Sequence, residues 1–567
     1  MNYAVNFRSN SDGDEQQLAA PNRKRALGAY YTPFQVSQAL CDWAIRSPAE
    51  SILEPCFGGC TFLEASIQRM ASLGALSPAS NIYGCDIDPI AFRYLEERVP
   101  DLSRSAQFVL KDFLLLRPHD LGLDGVDAVV GNPPYVSLQK ISLEARAAVA
   151  NWEAHYSQII ARRASIWVHF TLHSLNFLKQ GGRLAWVLPG SFLTAKYSYA
   201  ARASLLSSFS KVAFVTLAER LFLEEGTEER TVIVLAEGYG AQTKTSSISV
   251  CLDELSELQK FVDSWEQMDW GQPIVSSSAG LVPSRSANLV ASLSDNPCAK
   301  KLGDLADVEI GVVAGDTKFL IKNRAEWSAL KINGAHLRYV VPQSRRLEGI
   351  VLTAKDKVQH EVDGARCQAL HATVNARSEA LKKYLNSYSA EARSKNATFI
   401  KRAVWHRFLD EKIPDAFFVF MTHMGPRLVL NNAKANATNA LYRVKFKHGA
   451  KKYEKIIAIA IQTTLTQLAA ELLGHYRGSG ALKLEPSDVR RLPIFLPKVN
   501  DYDVNSVFAR VDKLTREGAI DEARKCADAF IFADFKDVRK SLEAMQEDLI
   551  IARRRRVRTI GERKSDE

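Results

Sequence analysis

The sequence lacks the features that would direct a protein to a membrane or to an oxidising compartment. None of its 567 residues belongs to an apolar run of about 18 or more, so no transmembrane helix is expected. The polar start MNYAVNFRSNSDGDEQQ has no basic segment followed by an apolar one, unlike a secretory signal. Its eight scattered cysteines are interpreted as reduced thiols rather than a disulfide framework. We therefore expect a cytoplasmic protein.

Common cofactor-binding motifs are also missing. The glycines after the first predicted strand do not form a GxGxxG dinucleotide fingerprint, and no GxxxxGK[ST] phosphate loop is present. Cys56 and Cys60 have no matching Cys/His pair, so we predict no metal site. These absences argue against a dehydrogenase, a nucleotide hydrolase and a zinc protein.

Composition is that of a folded protein with an uneven charge. Hydrophobic residues make up 46% and charged residues 24%, which excludes a wholly disordered chain. The length suggests about three domains. Residues 1–240 carry 22 Lys and Arg against 24 Asp and Glu, a net charge of −2, whereas the remaining 52 and 40 give residues 241–567 a net charge of +12. This asymmetry suggests a catalytic domain joined to a polyanion-binding domain, although a basic protein with no such partner remains an alternative.

Short apolar segments alternate with helical stretches from about residue 50. The predicted strands are Ser51–Leu53, Asn81–Cys85, Gln107–Leu110, Val126–Val130, Arg183–Leu188, Val212–Leu217 and Thr231–Ala236. Helices are predicted between several of them, as at Phe62–Leu73 and Pro89–Val99. This alternation predicts an α/β fold with a mainly parallel sheet. Nearly all-apolar strands indicate that both faces of the sheet are covered.

The pattern changes after Ala236. Polar stretches run to about Ser249 and again over 276–297, which predicts a connecting region. Residues 300 to about 497 mix short strands with basic and aromatic residues, and the sequence is helical in pattern from Tyr502 onward. The predicted domains are therefore a polar segment at 1–27, a catalytic domain at 28–240, a connecting region at 241–299, a mixed α/β domain at 300–500 and a helical basic segment at 501–567.

The strongest local motif is Asn132-Pro133-Pro134-Tyr135, directly after the apolar strand VDAVVG. The carboxyl end of a buried strand is where an open α/β sheet binds its ligands. Two consecutive prolines stiffen the loop and remove two N–H donors, so carbonyl groups and the Asn oxygen can accept hydrogen bonds from an amino group. The tyrosine offers a flat face to a base. The alternative is a simple proline-rich turn.

Three further motifs follow the first three predicted strands. Glu54 begins the turn EPCFGGCTF, whose small residues allow close approach of the backbone and whose carboxylate can bind a polar or cationic group. Asp86 ends the second strand, where a carboxylate can hold both hydroxyls of a ribose, while Asp88 can serve as a helix N-cap. Asp112 and Phe113 place a carboxylate beside an aromatic face. All four strand ends face one edge of the sheet.

In this order the motifs resemble the S-adenosylmethionine-dependent DNA amino-methyltransferases, specifically the gamma class of N6-adenine enzymes from type II restriction–modification systems. A segment containing Thr-Pro comes first in that family, and GAYYTP at 28–33 matches it. EPCFGG matches the methionine-binding turn, Asp86 the ribose acid, Asp112 and Phe113 the adenine-binding pair, and NPPY the catalytic motif. The resemblance covers roughly residues 25–240 and implies a Rossmann-like methyltransferase domain followed by a target-recognition domain and a helical tail.

The resemblance also implies a role for each matched position. The implied cofactor site is lined by Thr32, Glu54, Cys56, Asp86, Ile87, Asp112, Phe113, Asn132 and Phe170. Asn132 and the Pro133 carbonyl would accept the two hydrogens of the target amino group, with Pro134 in the same rigid loop. Tyr135 and Phe222 would stack on the two faces of the base, although Phe222 can also be a core residue at the end of a helical segment.

The implied activity is methyl transfer from S-adenosylmethionine to the N6 amino group of an adenine flipped out of double-stranded DNA. The enzyme would protect a specific sequence, acting as a monomer beside a separate restriction endonuclease, since fewer than 30 residues precede the first motif. RNA adenine methylation, DNA N4-cytosine methylation, protein-glutamine methylation and a non-catalytic DNA-binding subunit remain alternatives. Intact Asp86, Asp112 and NPPY argue against the last.

The second half resembles the target-recognition domains of the same family. The matching segments are RGSGALKLEP at 477–486, the Leu-Pro-Ile that follows at 492–494, and IGVVAGDTKFLI at 310–321. Cations of this half would contact phosphates and base edges; the candidates are Arg345, Arg346, Lys395, Lys401, Arg402, Arg407, Lys434 and Arg477. Each can equally be a solvated surface charge. The Arg553–Arg556 run is interpreted either as a basic helix end on DNA or as a solvated tail.

Overall fold

The computed structural model describes residues 32–103, 107–136, 142–153, 165–218, 221, 230–241, 245–268, 270, 281–341, 343–372, 378–476, 480–497 and 501–557. The described chain divides into two compact units. The first contains the described residues up to Leu281 and from Arg555, and the second contains those from Val282 to Tyr476 and from Gly480 to Arg554.

The first unit is built on one eight-stranded sheet. Its strands are β1 (Ile52–Glu54), β2 (Ile82–Asp86), β3 (Phe108–Leu110), β4 (Val126–Gly131), β5 (Leu178–Pro189), β6 (Lys211–Leu217), β7 (Thr231–Glu237) and β8 (Ser246–Leu252). Their order across the sheet is β3-β2-β1-β4-β5-β7-β6-β8. Strand β7 runs antiparallel to β5 and β6, and the other neighbours in this sheet are parallel. The predicted α/β fold with a mainly parallel sheet is confirmed.

Helices connect these strands. They are α1 (Phe34–Ala44), α2 (Thr61–Ser72), α3 (Pro89–Arg98), α4 (Pro100–Ser103), α5 (Leu143–Glu153), α6 (Ile166–Ser174), α7 (Ser191–Thr194), α8 (Tyr199–Ser208) and α9 (Glu257–Asp263). The apolar strands β4, β6 and β7 are almost wholly buried, as expected for a sheet covered on both faces. Parallel strands joined by helices bring the carboxyl ends of β1 to β4 to the same edge.

Strand β8 lies inside the segment that the sequence pattern predicts as a connection. It pairs in parallel with β6 from Lys211↔Ser246 to Leu217↔Leu252. Serines at 246, 247 and 249 hide the strand pattern, because they give an edge strand the composition of a linker. The following helix α9 buries Leu258, Phe261 and Val262 against the core of the unit.

The second unit is a mixture of small sheets and helices. Its strands are β9 (Ala299–Lys301), β10 (Ala306–Ile310), β11 (Ile321–Lys322), β12 (Leu337–Val341), β13 (Val351–Leu352), β14 (Gln368–Leu370), β15 (Ala416–Val419), β16 (Met421–Thr422), β17 (Arg427–Asn431), β18 (Asn436–Ala437), β19 (Tyr442–Phe446), β20 (His475–Tyr476), β21 (Leu482–Lys483) and β22 (Pro493–Phe495). They form sheets in the orders β10-β19-β15-β17-β13, β11-β14-β12-β18, β16-β21-β20 and β22-β9.

Fourteen further helices are described from residue 284 onward. They are α10 (Ser284–Ser294), α11 (Leu302–Leu305), α12 (Thr317–Leu320), α13 (Arg324–Ala329), α14 (Ala354–Val362), α15 (Glu379–Asn386), α16 (Ala390–Lys395), α17 (Ala397–Ile400), α18 (Glu454–Gln462), α19 (Thr464–Leu473), α20 (Pro486–Arg491), α21 (Asp501–Arg516), α22 (Ile520–Ile531) and α23 (Lys536–Val557). Helix α10 occupies half of the second polar stretch, 276–297, of the predicted connection. No single described helix is long and apolar enough to cross a membrane; one pair, Lys451–Gln462 and Thr464–Leu473, passes that test only together and is bent by 72°.

Candidate active site

The candidate site lies where four parallel strands of the first unit end. Glu54 closes β1, Asp86 closes β2 and Gly131 closes β4. Leu110, the last residue of β3, lies opposite Asp86 in the strand register. The three predicted acidic motifs and the NPPY motif therefore meet at one edge of the sheet, where α/β folds bind their ligands.

Asn132 is held by residues from two other motifs. Its side-chain Nδ2 donates to the Thr32 hydroxyl over 3.2 Å, and the Cys56 thiol donates to its backbone carbonyl over 3.4 Å. The preceding Gly131 has φ 153°, and a Cβ there would lie 3.2 Å from Trp186 and 3.7 Å from Cγ of Glu54. Glu54, Asn132 and Thr32 are thus brought within one small volume from three separate parts of the chain.

The turn after β1 is shaped by two residues in the left-handed region. Gly58 has φ 44°, and Cys60 has φ 66° directly before helix α2. This geometry directs the Gly58 N–H at Asp86, to which it donates over 2.9 Å. Burial and the nearby carboxylates of Glu54 and Asp86 raise the pKa of the Cys56 thiol, which is therefore a neutral group at neutral pH.

Asp86 and Asp88 have different roles. Asp86 accepts hydrogen bonds from the N–H groups of Gly58 and Asp88, whereas Asp88 caps helix α3 by accepting from Ile90 over 3.0 Å. Burial raises the pKa of Asp86 to about 6. Ile87, between them, is 61% exposed, so this apolar side chain faces open space beside the half-buried Asp86 carboxylate.

Asp112 and Phe113 follow β3 as predicted, but their surroundings differ. Asp112 accepts from the N–H of Leu114 over 3.0 Å, and burial raises its pKa. Phe113 is only 2% exposed. Its ring centroid lies 5.1 Å from Phe170 and 4.8 Å from His173 in helix α6. The sequence pattern did not indicate this histidine, because nothing in the local sequence shows that α6 packs on the turn after β3.

The strand-end carboxylates are not compensated by cations of the described chain. Glu54, Asp86 and Asp112 form no ion pair with any described residue. Glu54 is 2% exposed, and its Oε2 is buried with no hydrogen-bond partner in the part of the chain that the structure describes. Burial and the neighbouring Asp86 raise the pKa of Glu54 well above its usual range. An acidic edge with an orphaned carboxylate oxygen suits a ligand that carries positive charge.

The rest of the NPPY motif is partly buried. Pro133 is buried, and Pro134 and Tyr135 are half-buried. The Tyr135 hydroxyl donates to the Val187 carbonyl of β5 over 3.1 Å, and its ring packs against the core. This hydrogen bond anchors the ring at its far end. Phe222, the predicted second stacking aromatic, lies outside the described residues.

The basic candidates of the second unit fall into different environments. The prediction of Arg402 as a cation available for DNA is corrected. Its guanidinium donates to the carbonyls of Val313, Ala314 and Trp405, and burial lowers its pKa. Lys395 pairs with Glu391, and Arg346 lies 3.9 Å from Asp363. Among the remaining candidates, Arg345, Lys401 and Lys434 are exposed, Arg407 is half-buried, and Arg477 lies outside the described residues.

The Arg553–Arg556 run is not a solvated tail. Arg553 donates to Gln467 over 2.7 Å, and Arg555 pairs with Asp253 over 2.9 Å. The side chain of Arg556 is fully buried, and only Arg554 of the four is exposed. The run of arginines in the sequence does not show which of these side chains form hydrogen bonds or ion pairs within the protein.

Two family models match the chain in succession. The description "N-6 DNA Methylase" covers residues 16–261, and "Type II methyltransferase M.Eco57I, C-terminal domain" covers residues 277–532. The first match contains the complete strand-end site. Fold and site together define the class of α/β methyltransferases.

Curated relatives extend over most of the chain. Type II methyltransferase M.AccI of Acinetobacter calcoaceticus is 18% identical over 84% of this chain and 86% of the relative. Type II methyltransferase M.XamI of Xanthomonas campestris pv. amaranthicola is 22% identical over 83% of this chain and 86% of the relative. The type IIL restriction–modification enzyme MmeI, solved in complex with DNA, shares the fold with a TM-score of 0.57 at 10% identity, covering 94% of this chain and 76% of that one. Together these matches support an N6-adenine DNA methyltransferase of a type II restriction–modification system.

Proposed function

We propose that this enzyme transfers the methyl group of S-adenosylmethionine to N6 of an adenine that is flipped out of a specific double-stranded DNA sequence, as a member of the gamma class. The observation that supports this most is the position of Asn132, which directly follows strand β4 beside the acidic edge and whose side chain is oriented by Thr32. Methylation would protect that sequence from a separate restriction endonuclease. The enzyme acts as a monomer in this proposal.

The strand-end residues fit the cofactor. S-adenosylmethionine supplies a methyl group on a positively charged sulfonium, next to a ribose and an adenine. Glu54 and Asp112 would bind its polar and cationic groups, and Asp86 would accept from the ribose hydroxyls. Cys56, Ile87, Phe113 and Phe170 would provide apolar contacts. The uncompensated carboxylates and the orphaned Glu54 oxygen support this assignment.

The NPPY residues would prepare the target nitrogen. The lone pair of an adenine amino group is delocalised into the ring, so the group is a weak nucleophile. Because Asn132 Nδ2 donates to Thr32, its Oδ1 is the atom of that amide that would accept one amino hydrogen. The Pro133 carbonyl would accept the other, in a loop that Pro134 makes rigid. Two such hydrogen bonds favour a more tetrahedral nitrogen and expose its lone pair, so positioning and electrostatics provide the catalysis.

Stacking would compensate for extrusion of the base. Removing an adenine from the duplex costs a few kcal/mol, and each aromatic face returns about 1–3 kcal/mol. Tyr135 would supply one face, and its hydrogen bond to the Val187 carbonyl fixes the ring before the base arrives. Phe222 would supply the other. We assign residues 28–240 to catalysis and 300–500 to target recognition, with 1–27, 241–299 and 501–567 as flanking and connecting parts.

The test is transfer of tritium from labelled S-adenosylmethionine to unmethylated genomic DNA, with RNA and a cell protein extract assayed in parallel. We expect label in DNA as N6-methyladenine after nucleoside analysis, at one sequence when the product is sequenced for modified bases. Label in RNA, protein or N4-methylcytosine would contradict the proposal. Absence of label in every substrate, despite measurable cofactor binding, would indicate that the chain is a non-catalytic subunit.

A further inference from the structure

An exposed loop of the second unit is held by a half-buried cation, Arg402. We name residues 313–318 the 313–318 loop; they follow β10 and include Thr317 and Lys318, the first two residues of helix α12. The Arg402 guanidinium donates to the Val313 carbonyl, to the Ala314 carbonyl over 2.9 Å and to the Trp405 carbonyl over 3.2 Å. Burial lowers the pKa of Arg402, so the fold accepts a desolvation cost to hold these carbonyls. Arg402 forms no ion pair with a described residue.

Three more contacts fix the same loop. Gly315 has φ +90°, and a Cβ at this position would collide with the Phe399 ring. Asn396 Nδ2 donates to the Gly315 carbonyl over 3.4 Å. The carboxylate of Asp316 is turned inward, where it accepts from the Phe319 N–H over 2.9 Å and from the Tyr388 hydroxyl over 3.3 Å. These contacts constrain the conformation of the loop.

Aromatic rings form the base beneath the loop. Arg402 lies over the rings of Phe399 and Phe408 at 5.8 and 6.0 Å. Phe399 packs against Trp405 and Tyr388 with ring centroids 5.2 and 5.5 Å apart. A guanidinium held between aromatic faces cannot move freely, so the loop is supported by a rigid part of the unit.

The exposed residues of the loop are not acidic, and its one carboxylate, that of the half-buried Asp316, already accepts from Phe319 and Tyr388. Val313 is 44% exposed, and Gly315, Thr317 and Lys318 are also exposed. Lys318 forms no ion pair with any residue that the structure describes. The Gly315 N–H donates to no described residue either. This face offers an ammonium, a hydroxyl and a backbone N–H, which are the groups that proteins use to bind phosphate oxygens.

We propose that the 313–318 loop contacts the DNA backbone through Lys318 and Thr317, and that Arg402 is the positioning residue that fixes its shape. This inference rests on the proposed function, because it assigns part of the DNA-binding surface of the same enzyme. A loop that is ordered in advance loses less conformational freedom on binding, so its contacts contribute more to affinity. The net charge of +12 on residues 241–567 is consistent with a polyanion as partner.

The first test removes the phosphate-binding charge. For Lys318→Gln, we expect weaker binding to every DNA sequence. The slope of log Kd against log salt concentration should be smaller by about 1, the value for one lost phosphate contact. Lys513→Gln is the matched control, because that lysine is also exposed but already lies 3.8 Å from Glu517. Equal salt slopes for Lys318→Gln and wild type would overturn the assignment.

The second test removes the positioning group. For Arg402→Gln, we expect KM for DNA to rise at least about tenfold while cofactor affinity and kcat at saturating DNA stay near wild type. Arg402→Lys should restore part of the loss. Arg427→Gln is the control, because Arg427 also donates to three backbone carbonyls, those of Leu347, Glu348 and Gly349. The segment that Arg427 holds exposes Glu348, a side chain unsuited to a polyanion.

The outcomes separate this inference from the proposed function. Absence of methyl transfer to DNA by the wild-type enzyme would contradict the proposed function itself. Wild-type transfer with unchanged KM and salt slope in both variants would overturn only the loop assignment. Equal rises of KM in Arg402→Gln and Arg427→Gln would show a merely structural role for Arg402. If Arg402→Gln does not fold, the salt slope of Lys318→Gln decides.

Discussion

The side-chain amide of Asn132 donates to the Thr32 hydroxyl over 3.2 Å, across 100 positions of the chain. Asn132 directly follows strand β4, and Thr32 precedes helix α1. Because one amide hydrogen bond determines which way the planar group points, the Thr-Pro segment orients the catalytic asparagine in our proposal. A motif at the start of the domain thereby acts on the chemistry at its centre.

We first predict that Thr32→Val lowers kcat about tenfold with little change in cofactor affinity. Valine has nearly the same shape but no acceptor, so the buried amide loses a partner, at a cost of about 1–3 kcal/mol. Single-turnover methylation and calorimetric cofactor titration measure the two effects. Thr32→Ser keeps the hydroxyl and should retain most activity; equal losses in both variants would contradict an orienting role.

Cofactor binding should weaken in acid because of Asp86. Its pKa is raised to about 6, so below pH 6 a proton occupies the carboxylate that would accept from the ribose hydroxyls. Once that carboxyl is mostly protonated, affinity should fall by about tenfold per pH unit. Asp86→Asn should bind weakly at every pH and lack this dependence. A wild-type affinity that stays constant from pH 5 to 8 would refute the assignment.

The same group should make the ligand-free protein more stable in mild acid. The folded pKa of about 6 exceeds the ordinary value of 3.8, so the Asp86 contribution is fully present below that ordinary value and is lost as pH rises through 6. Its size is on the order of 2–3 kcal/mol. We expect Asp86→Asn to remove this part of the pH dependence of Tm, measured by calorimetry. Unchanged pH dependence in the variant would contradict the raised pKa.

Tyr135→Ala should cut turnover strongly and leave cofactor binding nearly intact. The lost stacking is worth about 1–3 kcal/mol, or roughly five- to 150-fold in rate. Tyr135→Phe keeps the ring but loses the hydrogen bond to the Val187 carbonyl, so its loss should be near fivefold, corresponding to about 1 kcal/mol. Steady-state kinetics and cofactor titration distinguish these effects. Lost cofactor binding in Tyr135→Ala would argue against the base-stacking role.

Gly84→Ala should destabilise the first unit. A Cβ there would lie 2.6 Å from the Phe108 ring and 3.1 Å from the Phe57 ring, in a region with no room to give. We expect a loss of about 1–3 kcal/mol in the free energy of unfolding. Gly334→Ala is the control, because its Cβ would meet nothing within 4 Å. Equal unfolding midpoints in denaturant for the two variants would contradict the predicted clash.

The strands that carry the motifs were predictable from local pattern, and strand β8 was not. Seven apolar segments predicted seven strands within a residue or two at most ends, because buried parallel strands are apolar along their whole length. The segment SSISVCL at 246–252 alternates serine with apolar residues and lies at the sheet edge. Its serines resemble a linker until its pairing with β6 is known.

Local sequence patterns were enough to predict the fold class, the order of the motifs and their place at the carboxyl ends of strands. These are properties of short segments, whose residue types and spacing are written in the chain. The partners of each side chain, in contrast, become known only from the folded chain. It joined Thr32 to Asn132, anchored Tyr135 on β5 and placed Arg402 under a loop instead of on a free surface. Such contacts link residues far apart in the chain, and their free energy depends on burial and distance, which no local pattern specifies.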